Sequence, residues 1–283
     1  MSRDDNSATE RWRRLVTGRL EEMERLSPGA GVISGAFWDR RADRFAAGVK
    51  VADTESDPFL RRLRRVADPS STVIDVGAGT GRFALPLASD VKHVTAVDPS
   101  EGMLAILRRG AEDLGLTNLS TVRSYWAEAD AGAADIVLSS FVLSVVPDAR
   151  SFLMKVDEAA RQHAFLYLGA YSGDAVFDPL WRHFHGAPRS PGPTYLDAVA
   201  VLRELGVEPE VKVVEVPNRK RFATIDEAVE YYRDWLLLAD TPDVAHELGG
   251  LLTSWLLGRK GAFRSPLRAI PAAIIHWRPP PRR

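Results

Sequence analysis

Cysteine is absent from this chain. Disulfides, thiolate zinc sites and thiol nucleophiles are therefore excluded. Long apolar runs are missing too, since no stretch approaches the roughly 20 residues that span a bilayer. The beginning, Met1-Ser2-Arg3-Asp4-Asp5-Asn6, is polar and has no apolar signal core. A charge bias is also lacking: 37 Lys and Arg against 38 Asp and Glu leave a net charge of −1. A strongly basic nucleic-acid binder would show an excess. These absences predict a soluble, cytoplasmic protein and disfavour membrane and nucleic-acid partners. Basic residues do cluster at Arg11, Arg13, Arg14 and at Arg61, Arg62, Arg64, Arg65, a pattern expected of solvated helix faces. There is no internal repeat, and the Pro- and Arg-rich tail at 278–283 is the one biased segment.

What is present points to a layered α/β chain. At 283 residues and 45% hydrophobic, it can bury one large core, or a core and a cap. Trp12, Leu15, Leu20, Met23 and Leu26 recur near a helical period. A break at 27–31 follows, then a short helix carrying Phe37, Trp38, Arg41 and Phe45. Strand patterns at 71–76, 91–97, 119–123, 135–139 and 163–170 alternate with helical patterns at 81–88, 102–114 and 151–161. That alternation predicts a doubly wound, mostly parallel sheet with helices on both faces. Right-handed crossovers gather the strand ends on one edge, where ligands bind. Beyond 171 the alternation loosens. Residues 172–193, rich in Gly, Pro, His and aromatics, read as a loop on the substrate side. A helix at 194–205, a strand at 211–216, helices at 225–238 and 242–257, and a strand at 269–277 interrupted by Pro271 complete the chain. The expected division is an N-terminal helical segment or lid (1–54), a ligand-binding core (55–171), the substrate-side loop (172–193), and the last helix and strands with an inserted helical pair (194–283). The sheet would have seven strands, and the helical pair would cap their ends.

The strongest motif is Val73-Ile74-Asp75-Val76-Gly77-Ala78-Gly79-Thr80-Gly81. A buried strand runs into three alternate glycines and then a helix. Glycine permits positive φ and lets a ligand approach the backbone, and the helix start offers unpaired N–H groups. A dinucleotide fingerprint wants its third glycine three places after the second, where this chain has Arg82. Asp75 would also repel a pyrophosphate and could pair with an ammonium group. An amino-acid-bearing cofactor therefore suits the turn better than NAD. The second motif is Val94-Thr95-Ala96-Val97-Asp98-Pro99-Ser100, whose acid ends the next strand 21 residues after Gly77. A carboxylate there can accept hydrogen bonds from both hydroxyls of a ribose.

With these residues the chain resembles the class I S-adenosylmethionine-dependent methyltransferases, which are Rossmann-like. The glycine loop matches that family's acid-led triple-glycine motif at every fixed position. Val97 to Met103 matches its second motif, and Asp135 to Leu143 the strand bordering the methyl donor. The resemblance covers about residues 55–170 and implies S-adenosyl-L-methionine as cofactor. It implies that the Gly77-Ala78-Gly79-Thr80-Gly81 backbone contacts the methionine and ribose, and that Asp75 helps hold the amino group. Asp98 would hold the ribose hydroxyls beside Pro99, and Met103 would pack on the adenine. The Ser139-Ser140-Phe141 backbone would lie beside the methionyl end. Where many members place Gly-Asp after the third strand, this chain has Ser124-Tyr125-Trp126. Adenine would then stack on Trp126 and meet backbone groups near Tyr125, unless Trp126 is a core residue.

Methyl transfer from a sulfonium is an in-line displacement in which the protein mainly supplies orientation, so no fixed catalytic motif is expected. Candidate bases are Tyr171, where the chain leaves the fifth strand, and His183 or His185 in the aromatic stretch beyond it. The competing reading is a packed aromatic loop with solvent-facing histidines. No third ligand joins the two histidines, so no metal is expected. Trp38 and Phe45 would either cover the cofactor or pack on the sheet. The expected acceptor is a small molecule. An RNA or protein acceptor, or a non-catalytic S-adenosylmethionine-binding or scaffold protein, are the alternatives, and nothing in the sequence fixes an oligomeric state.

Overall fold

A computed structural model describes residues 7–28, 34–48, 54–170, 177–258 and 261–280. In chain order the elements are helices α1 (Ala8–Leu26), α2 (Gly35–Asp39), α3 (Ala42–Gly48) and α4 (Pro58–Arg64), then β1 (Thr72–Val76), α5 (Ala84–Ala88), β2 (His93–Asp98), α6 (Glu101–Asp113), β3 (Leu119–Arg123) and β4 (Ala134–Ser140). They continue with α7 (Ala149–Ala159), β5 (Ala160–Gly169), α8 (Asp178–His185), α9 (Tyr195–Glu204) and β6 (Glu210–Pro217). A two-stranded ribbon of β7 (Arg221–Phe222) and β8 (Phe263–Arg264) flanks helices α10 (Ile225–Trp235) and α11 (Pro242–Trp255), and β9 (Ala269–Trp277) closes the chain.

The main sheet has seven strands in the order β3-β2-β1-β4-β5-β9-β6. β1 pairs in parallel with both β2 and β4, so the order reverses there and opens a crevice at the carboxyl edge. Four of the five β1 residues are buried, as both faces of a helix-covered parallel sheet require. Alternation then sorts the core into two layers. Ile74, Val76, Val97 and Val137 face Trp12 and Val16 of α1, Leu153 of α7 and Leu202 of α9. Val73, Val94, Ile136 and Leu138 face Leu60 of α4, Leu87 of α5, and Leu104 and Leu107 of α6. Each fully buried leucine of this kind contributes about 1.5–3 kcal/mol.

β9 runs antiparallel to both β5 and β6. β6 therefore ends, and β9 begins, at the carboxyl edge, and everything between them is inserted there. Leu180 and Trp181 of α8, Val229 and Tyr232 of α10, and Leu248 and Leu252 of α11 bury one another in a third apolar cluster, which Leu26 at the end of α1 also joins. This is the cap expected from element order. Its third helix is a correction: residues 178–185 are α8, inside the stretch read as a loop. Pro179 stands in its first turn and Gly186, at φ 68°, ends it.

Three boundaries move for identifiable reasons. α5 starts at Ala84 rather than 81, because Gly81 sits at φ 89°, outside the helical region. β5 begins at Ala160, directly after α7. β9 runs unbroken through Pro271, whose carbonyl accepts the N–H of Ala170, so its ring nitrogen faces the same side, past the last β5 residue. Among the described residues no helix is long and apolar enough to cross a membrane.

Candidate active site

The glycine loop and the second strand are fastened to each other directly. Gly77 and Ala78 both donate their N–H to the Val97 carbonyl, at 2.7 and 3.1 Å. Gly79 donates to Asp98 Oδ2 at 2.9 Å, and Ser100 donates to Asp98 Oδ1 at 2.9 Å. The three glycines take φ of 74°, 54° and 89°, a region that strains other residues. They differ in what surrounds them. A Cβ on Gly77 would lie 2.2 Å from Val142 Cγ2, and one on Gly81 would lie 2.8 Å from Leu85 Cγ. These two let the loop pack on its neighbours. Among the described residues, the one atom close to a Cβ built on Gly79 is Phe45 Cε1, at 3.9 Å. Of the three glycines, Gly79 leaves the most room beside its backbone.

Two buried carboxylates set the electrostatics. Asp75, at the end of β1, has an Oδ1 with no hydrogen-bond partner. Burial pushes its pKa up to about 7, with the charge of Asp98 adding to the rise and the Ala84 N–H opposing it. Asp98 is also raised, by burial first, while the Ser100 and Gly79 N–H groups pull it down and Asp39 pushes it up. Each Asp98 oxygen accepts one backbone N–H and keeps capacity for a second donor. A buried acid with one oxygen that lacks a partner among the described residues, and a carboxylate with capacity for two hydroxyls, fit a cationic amino-acid nucleoside. The same two acids would repel a polyphosphate.

The N-terminal segment closes one side. Asp39 Oδ1 accepts from Ser100 Oγ at 2.6 Å and from the Gly102 N–H at 2.8 Å, so it joins Ser100 in capping α6. Gly35 is pressed against Pro99, whose carbonyl oxygen would lie 2.6 Å from an added Cβ. The Gly35 N–H donates to the Tyr125 hydroxyl at 3.2 Å. Trp38 meets Phe45 edge-on at 6.0 Å between ring centres, and Arg41 pairs with Asp234 of the cap at 3.8 Å. On the other side Phe141 follows β4 with φ 58°, unusual for a side chain of its size. Its N–H donates to the Tyr167 carbonyl at 2.8 Å, and its ring packs 4.9 Å from that of Tyr167.

Asp75, Gly77, Ala78, Gly79, Gly81, Asp98, Pro99, Tyr125, Ser140 and Phe141 therefore gather at the carboxyl edge, with Met103 buried in the first turn of α6 beside them. Trp126 does not serve as an open stacking platform. It is buried in the core, donates Nε1–H to the Phe152 carbonyl at 3.4 Å, and has Lys155 Nζ 4.9 Å from its ring centre. The histidines belong to the cap: His183 meets Glu247 at 2.7 Å, and His185 meets the Leu236 carbonyl at 2.8 Å while packing on Trp181. Tyr171 lies outside the described residues.

Sequence reasoning missed a buried group under the loop. Asp57 caps α4, and its Oδ2 pairs with Arg82 at 2.6 Å. Its Oδ1 accepts the Tyr167 hydroxyl at 3.2 Å, and burial, with the charge of Asp57 adding to it, drives the Tyr167 pKa upward. This group ties the exit of the glycine loop to the strand that holds Phe141. Asp57-Pro58 was legible as a helix start; its partners were not.

Residues 73–163 match the family model described as a methyltransferase domain. That span, within the Rossmann-like sheet, is similar to methyltransferase domains. S-adenosylmethionine is the cofactor of that family, and the matched span holds the acid-led glycine loop, Asp98 and Phe141. Among relatives, an uncharacterized protein of Haemophilus influenzae is 28% identical over 186 residues, 64% of this chain and 67% of its own length. A phosphatidylethanolamine N-methyltransferase of Cereibacter sphaeroides is 33% identical over 108 residues, 37% of this chain and 53% of its own length. This chain thus spans about half of that second relative. The solved magnesium protoporphyrin IX methyltransferase of Synechocystis shares the fold, with a TM-score of 0.50 at 18% identity, covering 75% of this chain and 94% of that one.

Proposed function

We propose that this protein transfers the methyl group of S-adenosylmethionine to a small, largely apolar acceptor held between the glycine loop, the Phe141 turn and the cap. The observation that carries the reading is the Gly79–Asp98 hydrogen bond beside the unpartnered oxygen of Asp75. When bound, S-adenosylmethionine supplies the electrophilic sulfonium methyl. Asp98 would hold the ribose hydroxyls, Asp75 would face the ammonium group, and the Gly79 backbone would lie along the ligand. The work left to this chain is alignment, and well-oriented reactants can gain about 7–11 kcal/mol from it.

The acceptor is argued from the rim. Four aromatic side chains keep large exposure there: Phe45 at 39%, Tyr125 at 45%, Phe141 at 44% and Trp235 at 47%. Phe45 borders Gly79, Phe141 ends β4, and Trp235 follows the Asp234 that pairs with Arg41. Exposed aromatics at the mouth of a capped crevice favour an apolar ligand. The near-zero net charge and the cap both weigh against a nucleic-acid acceptor.

Calorimetric titration of the full chain with S-adenosylmethionine and, separately, NAD tests the cofactor. Binding of the former alone is expected, and Asp98→Ala should weaken it by at least about tenfold through loss of two charge-assisted hydrogen bonds. Tight NAD binding without S-adenosylmethionine binding would refute the reading. Mass spectrometry of cell extract incubated with the protein should then show a product heavier by one CH₂ that forms only with added cofactor.

A further inference from the structure

A second polar cluster lies far from this chemistry. His163 of β5 and His276 of β9 are both buried, with His163 Nδ1 2.9 Å from His276 Nε2. His276 Nδ1 in turn lies 3.1 Å from Arg62 Nη2 and 3.3 Å from Glu210 Oε2. A guanidinium can only donate and a carboxylate can only accept, so the two contacts at Nδ1 call for opposite tautomers of His276. Burial lowers the pKa of both rings and favours their neutral forms.

Around this neutral pair the charge is one-sided. A cavity of about 260 Å³ opens between α4 and the edge strand β6, and Arg62, Arg65, Lys212, Glu210, Val211 and Ile274 line it together with His276. Arg278 also acts on both imidazoles. Glu210 is the one carboxylate of the lining, and it already pairs with Arg62 at 3.1 Å. The rest of the basic run on α4 is turned elsewhere: Arg61 donates to the Ser56 carbonyl, and Arg64 pairs with Glu55 and Asp90. What sequence pattern alone read as a solvated helix face thus divides, and Arg62 and Arg65 are the two that line the cavity. Val211 pairs with Ile275 and points to the other face of the sheet, and Ile274 is buried, so the exposed lining is charged. His163 sits six residues before Gly169 along β5, which places the groove about 20 Å from the carboxyl edge.

We propose that this groove binds a phosphate group through Arg62, Arg65 and Lys212. A doubly charged oxyanion matches three cations lining one groove better than a carboxylate does. Its contact with Arg62 would be felt at His276.

Phenyl phosphate and inorganic phosphate, titrated separately into the full chain by calorimetry, test this, with the His276 Cε1–H resonance followed by NMR. Both should bind saturably at one site and shift that resonance. The variant carrying Arg65→Glu and Lys212→Glu, both at the surface, should lose at least about tenfold in affinity for both. Its S-adenosylmethionine affinity should stay unchanged, which separates this site from the cofactor site. The proposal is overturned if neither anion saturates, if the double variant binds as tightly, or if chloride at equal concentration displaces phenyl phosphate.

Discussion

Replacing Asp75 with Asn should raise the stability of the free protein and lower its affinity for the cofactor. In the free chain burial holds the Asp75 pKa near 7, against 3.8 for an unperturbed group. The folded value lies above the unfolded one, so the folded chain holds this proton more tightly. The ionised group therefore costs stability; the cost is absent below the unfolded pKa, grows as pH rises, and levels off above about 7. Three units correspond to about 4 kcal/mol at pH 8. An Asn amide left short of partners returns about 1–3 kcal/mol of that, so a net gain of about 1–3 kcal/mol is expected. Ligand binding responds in the opposite sense. An ammonium group prefers the carboxylate, so the ligand must first displace the proton at low pH. Wild-type affinity should therefore be about tenfold weaker at pH 6 than at pH 8. In the Asn variant it should be weaker at pH 8 and nearly flat across the range. Calorimetry with S-adenosylhomocysteine at pH 6, 7 and 8, beside urea unfolding at the same pH values, measures both. Equal wild-type affinity at pH 6 and 8, or an Asn variant with the wild-type slope, would refute the reasoning.

Other outcomes follow from single contacts. Gly77→Ala should destabilise by about 2–4 kcal/mol, because its Cβ meets Val142 Cγ2 at 2.2 Å and its φ is positive; adding Val142→Ala should recover part of the loss in thermal melts. Phe141→Gly should relieve about 1 kcal/mol of backbone strain while reducing product formation, since the exposed ring is lost from the crevice. His185→Ala should lower the melting temperature by loosening the cap while leaving cofactor affinity within about twofold, as expected for a group that bonds Leu236 and packs on Trp181.

The sheet was legible because its signals are local. β1 and its glycines are a contiguous apolar run and a turn, and the acid of β2 ends a strand that the same period marks. The pairing order then follows from right-handed crossovers. α8 carried its own punctuation, with Pro179 near its start and Gly186 at its end. The aromatic, His-rich composition around it hid a short helix whose apolar face packs against α10 and α11. Trp126 shows another limit. Its neighbours in sequence place it next to the adenine position, but Phe152 and Lys155, well along the chain, draw its ring into the core. Asp57 is harder still, since its partners Arg82 and Tyr167 lie 25 and 110 residues away. Long-range polar pairing leaves no periodic trace, so the group that braces the site from below had no signature to read.

The entry and exit of the cap also have a consequence for how such a chain can change. Both leave the sheet at one edge, from β6 and into β9, so the helices between residues 218 and 268 form one insertion, whose apolar centre is completed by α8 and Leu26. A different helical insert grafted at Pro217 and Ala269 would have to match α8, but could leave the glycine turn unchanged. On the proposed function, selection could then explore new acceptors without rebuilding that turn.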